Sequence, residues 1–591
     1  MSTVDLVWLS DTALLPGWEL GGVLAVRPEP ESVAKVAEQL TSTSTAAAVL
    51  LWDAALGTPD QQVLLRALES PGDVWHAGLK LGMNGQPGII RFVSPTWMLT
   101  CDPPCDIEAT SWRLSLRACL VRTDVLRRLG GPKPDFQGLE GAGLELGHRW
   151  MRRGALMRHV PALLNHRSVV SGQCSVVSIP FEDELRFVYY RHGRKWAGWA
   201  LFRALMTRYT TPLTALRSWR KVMSASRPPE PAPYRPAFVQ RSGFDVQGSR
   251  FDSLSSGTMD SSCSAVTTDP QPSTFNPQPA SVSVLIPTLD RYPYLRTLLG
   301  QLRQQTVRPL EIIIIDQTAA DRRQEGLFEA FSDLPLKVIY QDEPGQCTAR
   351  NAGLQMARGD YILFIDDDDE VKPDLIESHL QTLVEFGAEV SSGVADEVGA
   401  GPLPADFCLV RVSDVFPMGN TMIRREVLRR SGLFDLAYNR GQRADGDLGM
   451  RVYLSGALMV LNPGISVLHH HAPVGGLRRH KARTVTYAAS RKRLMHRNLP
   501  TPTEIYLGNR YFSEMQVREM IWLRVLGTFS SWGGRFRKAT KICVSAILLP
   551  HTLGVIRKNW KKATSLLDEF PQIPELPPQP RMRPVALAGA R

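Results

Sequence analysis

The chain has 591 residues, a length that predicts two to four domains rather than one. Hydrophobic residues make up 43% and charged residues 21%, which are ordinary values for a globular protein and exclude wholesale disorder, collagen-like repeats and coiled coils. Lys and Arg outnumber Asp and Glu by 69 to 58, and a net charge of +11 over this length does not indicate a nucleic-acid partner.

The sequence predicts a cytoplasmic protein. No stretch reaches about 18 consecutive apolar residues, and the first residues carry Asp5 and Asp11 where a secretory signal would carry Lys or Arg. The eight cysteines are scattered, and only Cys101 and Cys105 stand close together. Neither a disulfide framework nor a zinc site is therefore indicated.

The chain divides at a polar segment. Residues 1–226 are predicted to form a first foldable block. Residues 227–280 are rich in Pro, Ser, Thr, Gly and Asp and have no sustained apolar period. Such a segment cannot bury enough apolar surface to offset the entropy of ordering, so we predict a disordered linker.

A regular alternation of strands and helices follows over residues 281–475. The buried-strand patterns are SVSVLIP, PLEIIIID, KVIYQ and DYILFIDDDD, and the helical stretches between them include DRRQEGLFEAFSDL (321–334) and GQCTARNAGLQMA (345–357). Near-continuous apolar strands alternating with amphipathic helices predict an α/β fold with a mostly parallel sheet. Ligands bind beyond the carboxyl ends of such strands.

One of these strands ends in four consecutive aspartates, Asp366 to Asp369. Their mutual repulsion is costly unless cations compensate, and carboxylates are natural ligands of Mg²⁺ or Mn²⁺. The alternative is a solvated acidic loop. Other residues are predicted to lie at the same edge of the sheet: Pro287, Thr288, Asp290, Asp316, Arg350 and Asn351.

Five ordered motifs carry a family resemblance. IPTLDR, IIIIDQT, GQCTARNAG, GDYILFIDDDDE and FDLAYNRGQRADGDLGMR together resemble a family-two glycosyltransferase of the GT-A fold. The resemblance implies transfer of a sugar from a nucleotide-diphosphate donor, with inversion at the anomeric carbon.

The resemblance also implies roles for particular residues. The nucleotide sugar would contact Pro287, Thr288, Asp290, Asp316, Arg350, Asp366 and Asp367. A Mn²⁺ or Mg²⁺ ion would be held by Asp366 and Asp368, and Asp368 would be the direct ligand. A histidine often completes the metal shell, and because strand neighbours alternate, His469 or His471 is favoured over His470.

Inversion needs a general base beside the attacking hydroxyl. The family usually carries Glu-Asp at the start of a helix, and here Ala444 takes the place of the Glu while Asp445 keeps the Asp. We predict Asp445 as the base. Asp447 is the reserve candidate, and its alternative role is to complement the helix dipole.

The first block resembles the second with its chemistry removed. LEGAGLELGHRWMRRGALM (139–157) aligns with RADGDLGMRVYLSGALM (443–459) through L-G-x-R-x-x-x-x-G-A-L-M, and a shared Pro-Asp aligns AAAVLLWDAALGTPD (46–60) with the acidic strand. In that register Trp52-Asp53-Ala54 replaces Asp366-Asp367-Asp368. Gly143 and Glu145 replace Asp445 and Asp447. We predict a degenerate GT-A-like copy that lacks one or two βα units.

The remaining region, 476–570, is predicted to be helical, and the tail 571–591 to be disordered and Pro-rich. Arg and Lys alternate with aromatic residues in 191–209, 477–497 and 532–541. These segments are either solvated helix faces with a few core aromatics, or contacts with anionic membrane lipid or a lipid-phosphate acceptor. The C-terminal helices either pack against the catalytic domain or attach peripherally to the inner face of the membrane.

The leading hypothesis is an inverting glycosyltransferase in cell-surface polysaccharide or glycolipid synthesis, with a glycan or lipid-linked acceptor. One alternative is a sugar-nucleotide nucleotidyltransferase, which would need a Gly-rich loop after the first strand that PTLDRYPYL lacks. The other is a non-catalytic binding or assembly protein, favoured only by Ala444.

Overall fold

A computed structural model describes residues 3–11, 17–83, 88–164, 178–237, 280–324, 326–397, 403–473, 475 and 487–577. Two α/β blocks, each built on its own sheet, are followed by a helical region. The predicted α/β class is therefore confirmed.

The first block contains these elements: β1 Val4–Leu9, β2 Val23–Val26, α1 Pro30–Thr43, β3 Ala48–Asp53, α2 Gln61–Glu69, β4 Val74–His76, β5 Ala109–Thr110, β6 Ala118–Arg122, α3 Thr123–Leu129, α4 Leu139–Arg152, β7 Met157–His159, α5 Phe181–His192, α6 Arg194–Met206 and α7 Pro212–Ser224.

The second block contains these: β8 Val282–Thr288, α8 Tyr292–Leu302, β9 Glu311–Asp316, β10 Leu336–Tyr340, α9 Gln346–Met356, β11 Tyr361–Phe364, β12 Asp369–Glu370, α10 Leu375–Glu385, β13 Val390–Glu397, β14 Arg411–Val412, β15 Thr421–Arg424, α11 Arg425–Ser431, α12 Ala444–Leu454 and β16 Met459–His469. The helical region contains α13 Tyr487–Lys492, α14 Pro502–Tyr511, α15 Glu514–Gly527, α16 Arg535–Ile547 and α17 Leu549–Glu569.

The sheet of the second block has the order β10-β9-β8-β11-β15-β13-β16-β12, with β14 beside β16. Strands β8 to β11 are parallel, and all six residues of β9 are buried because helices cover both faces. Strand β15 then enters antiparallel between β11 and β13. Six of the nine strands, β8 to β11 with β13 and β16, run in one direction, so the prediction of a mostly parallel sheet is confirmed, and β12, β14 and β15 run against them. Short later strands such as β14 and β15 carry too little pattern to reveal their direction.

The sheet of the first block follows the same plan. Its order, β2-β1-β3-β6-β4-β7-β5, matches β9-β8-β11-β15-β13-β16-β14 strand by strand, and each pair runs in the same relative direction as its counterpart. Within the described residues, only the counterparts of β10 and β12 are missing from the first sheet.

Strand pairing fixes the register between the blocks. Arg122 pairs with Ala48, and Arg424 pairs with Tyr361; each arginine precedes a helix of seven residues. Asp53 lies five residues after Ala48, and Asp366 lies five residues after Tyr361, so Asp53 occupies the place of Asp366. The register drawn from the shared Pro-Asp, which set Asp53 against Asp367, is therefore wrong by one residue, because the loop after β3 is one residue shorter.

The two blocks contact each other reciprocally. Gly154 of the first block has a φ of 100°, and a Cβ there would lie 2.7 Å from the carbonyl oxygen of Val410. Gly456 of the second block has a φ of 86°, and a Cβ there would lie 2.3 Å from the carbonyl oxygen of Glu108. Both contacts require glycine, and each joins the turn after a helix to the residue before a short strand, as in a two-fold dimer.

Three predicted segments differ in the structure. Residues 321–334 form only short 3₁₀ turns rather than a helix, and Gly326 interrupts them with a left-handed φ of 74°. Residues 227–237 of the predicted linker lie on the first block, where Arg235 pairs with Asp73 at 2.7 Å. Within the tail, Leu433 N–H donates to the Pro574 carbonyl at 2.7 Å. The rest of the linker, 238–279, and of the tail, 578–591, lies outside the described residues.

Among the described residues, no single helix is both long and apolar enough to cross a membrane. The bent pair formed by α16 and α17 meets that criterion by length and composition, with a bend of 58° between the two helices.

Candidate active site

The four aspartates gather at the carboxyl end of β11, beside the ends of β8 and β16. The side chains of Asp367, Asp368 and Asp369 are almost fully buried, whereas that of Asp366 is 32% exposed. Burying carboxylates is expensive without compensating charge or hydrogen bonds. The partners of each carboxylate therefore define the site.

Arg291 is the first compensating cation. One terminal nitrogen of its guanidinium lies 2.8 Å from Asp367 Oδ1 and 2.9 Å from Asp368 Oδ1. Burial alone would lower the pKa of Arg291, but these carboxylates raise it, so its charge is secure. Sequence reasoning missed this residue, although it directly follows Asp290 in the first-strand motif.

Two predicted pocket residues hold the first two aspartates. Thr288 Oγ1 donates to Asp367 Oδ2 at 2.8 Å, and burial raises the pKa of Asp367 to about 6 despite the opposing effect of Arg291. Arg350, on α9, donates to Asp366 Oδ1 at 2.8 Å. The structure thus brings Thr288, Arg350 and the acidic strand end together.

His469 joins the cluster from β16, because the pairing of β12 with β16 sets it opposite Asp369. Its Nδ1 lies 2.7 Å from Asp369 Oδ1 and 3.9 Å from Asp368 Oδ1. Burial would lower the pKa of His469, but the bond to Asp369 and the neighbouring carboxylates raise it to about 9. Burial raises the pKa of Asp369 to about 7.

The other two histidines follow the predicted alternation. The rings of His469 and His471 lie 4.4 Å apart, whereas His470 points to the other side, with its Nε2 bonded to Glu370. His471 Nε2 lies 3.2 Å from Glu397 Oε2.

The donor types fit a divalent cation, since carboxylate oxygens suit Mg²⁺ and Mn²⁺. The arrangement is not closed around an ion, however. Asp368 Oδ2 accepts the N–H of Ala472 at 2.8 Å, Arg291 donates to Asp368 Oδ1, and Arg350 donates to Asp366 Oδ1. In the part of the chain that the structure describes, no three Asp, Glu, His or Cys side chains converge on one metal position.

Asp316 is a predicted pocket residue whose carboxylate is buried and bonded within the protein. It is fully buried at the end of β9, where Oδ2 accepts from the Tyr292 hydroxyl at 2.6 Å and Oδ1 from the Thr318 N–H at 2.9 Å. A base edge cannot reach it in this conformation, so its predicted contact with the base is not supported. The sequence shows an acid at a strand end but not that Tyr292 and Thr318 occupy both of its oxygens.

The end of β8 supplies the remaining predicted residues. Pro287 is partly exposed in the strand, while Asp290 has a left-handed φ of 58° and accepts from Arg322 at 2.8 Å through Oδ2. Asp290 therefore lies at the same edge as the aspartates, on a turn held by Arg322.

Asp445 lies in the first turn of α12, partly exposed. The loop before it is fixed to the start of α9, where Asn439 Oδ1 accepts the N–H groups of Cys347 and Thr348 at 3.0 and 3.1 Å. The helix carrying Arg350 thus also anchors the loop that positions Asp445.

Asp447 has a different environment. It is fully buried, its Oδ2 accepts from Arg451 at 2.8 and 3.0 Å, and its Oδ1 accepts from the Tyr511 hydroxyl at 2.7 Å. Arg451 in turn donates to the Ser431 carbonyl at the end of α11. Asp447 therefore ties two helices and a C-terminal tyrosine together.

The first block repeats this arrangement without Asp445. Glu145 is fully buried, accepts from Arg149 Nε at 3.1 Å, and Arg149 donates to the Leu129 carbonyl at the end of α3. Gly143 stands in the place of Asp445, and a Cβ there would lie 2.6 Å from the Leu114 carbonyl oxygen. That position has no room for a carboxylate.

A separate cleft of about 620 Å³ lies between the blocks. It is lined by Trp97, His148, Arg152, His192, Asp406 and Asp414, among others. Because it contains none of the predicted site residues, it is not part of the acidic site.

Comparison with known proteins covers the second block. Residues 283–443 match the family described as glycosyl transferase family 2. The putative glycosyltransferase EpsH of Bacillus subtilis is 41% identical over 103 residues, which are 17% of this chain and 30% of that protein. The uncharacterized glycosyltransferase YwdF of the same organism is 31% identical over 167 residues, 26% of this chain and 62% of that protein. The chain thus spans less than two thirds of these relatives.

Solved structures are more distant. S. aureus TarS 1-349 in complex with UDP-GlcNAc is 17% identical with a TM-score of 0.32, over 49% of this chain and 80% of that one. The mannosyltransferase PcManGT from Pyrobaculum calidifontis, in complex with GDP-Man and Mn²⁺, is 16% identical with a TM-score of 0.32, over 49% of this chain and 85% of that one. Scores this low add nothing to the fold derived above. Over residues 283–443 this chain is therefore similar to family 2 glycosyltransferases.

Proposed function

We propose that the second block transfers a sugar from a nucleotide-diphosphate-sugar donor to a hydroxyl acceptor, with inversion at the anomeric carbon. The observation that carries the proposal is the acidic end of β11, held by Arg291 and Arg350, inside the domain that matches family 2. Cationic groups at this point suit a diphosphate, on which negative charge develops as the sugar–phosphate bond breaks.

A divalent metal would be held by Asp366 and Asp368 with His469 beside them, donors of the appropriate type that in this conformation are bonded to Arg350, Arg291 and Asp369. When bound, Mn²⁺ or Mg²⁺ would neutralise charge on the leaving diphosphate. Thr288 keeps Asp367 oriented, and in this proposal Arg350, which donates to Asp366, contacts the base or the diphosphate of the donor.

Asp445 acts as the general base in this proposal. Its carboxylate takes the proton of the acceptor hydroxyl as that oxygen bonds to the anomeric carbon, and the sugar–phosphate electron pair leaves with the diphosphate. Partial exposure in the first turn of α12 leaves Asp445 accessible to an acceptor, whereas Asp447 is committed to Arg451 and Tyr511.

The first block serves, in this proposal, as a degenerate GT-A-like copy without catalysis. Its strand order and directions coincide with those of the second block, and its contacts across the interface are reciprocal. Asp53 pairs with Arg117 at 2.7 Å, and alanines follow it where the second block has further aspartates. The block thus lacks both the acidic cluster and the base.

The acceptor, a glycan or a lipid-linked saccharide, and a cytoplasmic location remain proposals for the whole protein. A role in cell-surface polysaccharide or glycolipid synthesis is consistent with the teichuronic acid biosynthesis glycosyltransferase TuaG of Bacillus subtilis, a putative enzyme that is 29% identical over 106 residues.

A panel of nucleotide sugars tested by thermal shift with Mn²⁺ would test the function. A donor at about 100 times its dissociation constant should stabilise the chain by about 2.7 kcal/mol, and transfer or slow hydrolysis should follow. Stabilisation without either reaction would favour a binding protein. Formation of the nucleotide sugar from a nucleoside triphosphate and a sugar phosphate would favour a nucleotidyltransferase.

A further inference from the structure

Helix α16 is oriented with its polar side inward. Lys541 is fully buried, and its ammonium donates to the backbone carbonyls of Ser490, Arg493, Leu494 and His496 at 2.8 to 3.0 Å. On the same side, the Ser545 hydroxyl donates to the Thr528 carbonyl at 2.8 Å. These bonds fix the rotation of the helix about its axis.

The opposite side of the helix is apolar and exposed. We call it the outer face of α16, and it consists of Phe536, Ala539, Ile542, Cys543, Ala546 and Ile547. Phe536 is 86% exposed and Ile547 78%. A surface helix in water normally turns its apolar face to the core and its polar face outward. The reversed arrangement indicates that this face contacts something other than water.

Further apolar side chains continue the surface. Leu553 is exposed just after the bend between α16 and α17, and Trp532 just before α16. Nearby, α15 exposes Met515, Trp522 and Leu526 at spacings of seven and four residues, which place them on one helical face.

A stripe from the first block adjoins that of α15. Helix α6 exposes Phe202 and Met206, and its Arg203 pairs with Glu519 of α15, with Nε 2.9 Å from Oε2. Glu519 is only 2% exposed although it shares the face of Trp522, because Arg203 pairs with it and the segment Ile89–Phe92 packs against α15. The two apolar stripes therefore meet across a shielded ion pair.

The charge along the chain around the outer face of α16 has one sign. From residue 520 to residue 567 the chain has nine Lys and Arg and no Asp or Glu. The exposed cations flank this face along the chain: Arg535, Arg537 and Lys538 in the first turn of α16, and Arg557, Lys558, Lys561 and Lys562 on α17 after the bend. Each Lys or Arg near an anionic leaflet is attracted to it, and exposed tryptophans favour the membrane interface.

We infer that the outer face of α16, with its basic rim, binds the surface of a bilayer containing anionic phospholipid. The face of a 13-residue helix is about 20 Å long, and it lies in the interface with Phe536, Ile542 and Ile547 among the acyl chains. A second copy of the chain is a poor occupant, because a two-fold contact would bring two identical basic rims together. The inference is independent of the proposed catalytic function.

Cosedimentation of the full chain with vesicles tests this inference. The chain should bind vesicles of phosphatidylcholine mixed with phosphatidylglycerol, bind phosphatidylcholine alone at least about tenfold more weakly, and lose affinity as salt rises. Phe536→Ser with Ile547→Ser should weaken binding at least about tenfold, because two large apolar side chains no longer enter the bilayer. Lys558→Gln with Lys561→Gln and Lys562→Gln should weaken binding to the anionic vesicles by a similar factor.

Two matched variants serve as controls. Leu310→Ser with Val384→Ser removes exposed apolar side chains elsewhere, and Arg27→Gln with Lys35→Gln and Arg66→Gln removes the same charge elsewhere. Both should bind as the unaltered chain does, and the melting temperature of each variant verifies folding. The inference would be overturned if the chain bound neutral and anionic vesicles equally, or if the α16 variants bound vesicles as the unaltered chain does. It would also be overturned if the chain formed a dimer that Phe536→Ser with Ile547→Ser abolished.

Discussion

The two blocks share a strand order but differ at the ends of the matching strands β3 and β11. At the end of β11, aspartates are balanced by Arg291, Arg350 and His469, whereas at the end of β3 a single aspartate pairs with Arg117. The comparison separates two kinds of carboxylate. Carboxylates that fix helices, Glu145 and Asp447, are present in both blocks. The acidic cluster at the end of β11 and the proposed base Asp445 are present only in the second block.

The largest expected effect comes from the acidic cluster. Asp368→Ala should lower transfer by roughly 10³-fold or more, because one ligand for the cation at the leaving diphosphate is lost, and a chelator should have the same effect on the unaltered chain. Initial rates with Mn²⁺ measure the effect. The matched variant Asp53→Ala should leave the rate within about twofold, and full activity without any divalent metal would contradict the assignment.

The base is expected to give the next largest effect. Asp445→Asn keeps the shape of the side chain but cannot take a proton, so turnover should fall by about 10²–10⁴-fold while donor binding persists. Turnover and donor affinity measured on the same preparation separate the two quantities. The assignment of the base would be reversed if Asp445→Asn remained active and a folded Asp447→Asn did not.

The helix-fixing carboxylates should affect stability instead. Asp447→Asn and Glu145→Gln each leave a buried arginine, Arg451 or Arg149, without its charge partner, at a cost of about 3–5 kcal/mol. Hydrogen exchange resolved by peptide should show the loss in the block that carries each change. Retention of normal turnover by folded Glu145→Gln would support the division of roles, whereas a loss as large as that of Asp445→Asn would contradict it.

The smallest effect is a difference in sensitivity to acid. In the described part of the first block, burial lowers the pKa of His76 to about 3 and of His159 and His192 to about 4, and it also lowers that of His148. In the second block it lowers that of His379, to about 4. Such histidines bind protons in the unfolded chain first, so their contribution to stability is complete above pH 6.5 and is lost as the pH falls towards 4.

Two carboxyl groups of the first block oppose this trend. Burial raises the pKa of Asp183 to about 6 and that of Glu184 to about 7, so both favour the folded state on acidification. The destabilising effect of the four histidines is larger than the stabilising effect of the two carboxyl groups. We therefore expect the free energy of unfolding of the first block to fall by about 2–4 kcal/mol between pH 6.5 and pH 5. Hydrogen exchange at the two pH values should show more protection lost in the first block; an equal or larger loss in the second would contradict this.

Sequence patterns predicted the strands well because fully buried strands such as β9 have an unmistakable composition. The repeat around Glu145 and Asp447 was also visible, since a helix and its arginine keep a fixed spacing. Partners distant in the chain were not predictable. Nothing in the local pattern shows that Tyr292 closes off Asp316 or that Arg291 reaches Asp368. The prediction of a helix over 321–334 was wrong because the apolar spacing did not reveal the left-handed turn at Gly326.

The central claim is that one block performs the chemistry, and counting donor sites tests it most directly. Equilibrium dialysis of a stabilising nucleotide sugar with Mn²⁺ should give one molecule bound per chain. The number should stay at one in Asp53→Ala, and binding should weaken at least about tenfold in Asp368→Ala. Two molecules per chain, or a site lost in Asp53→Ala and kept in Asp368→Ala, would contradict the account.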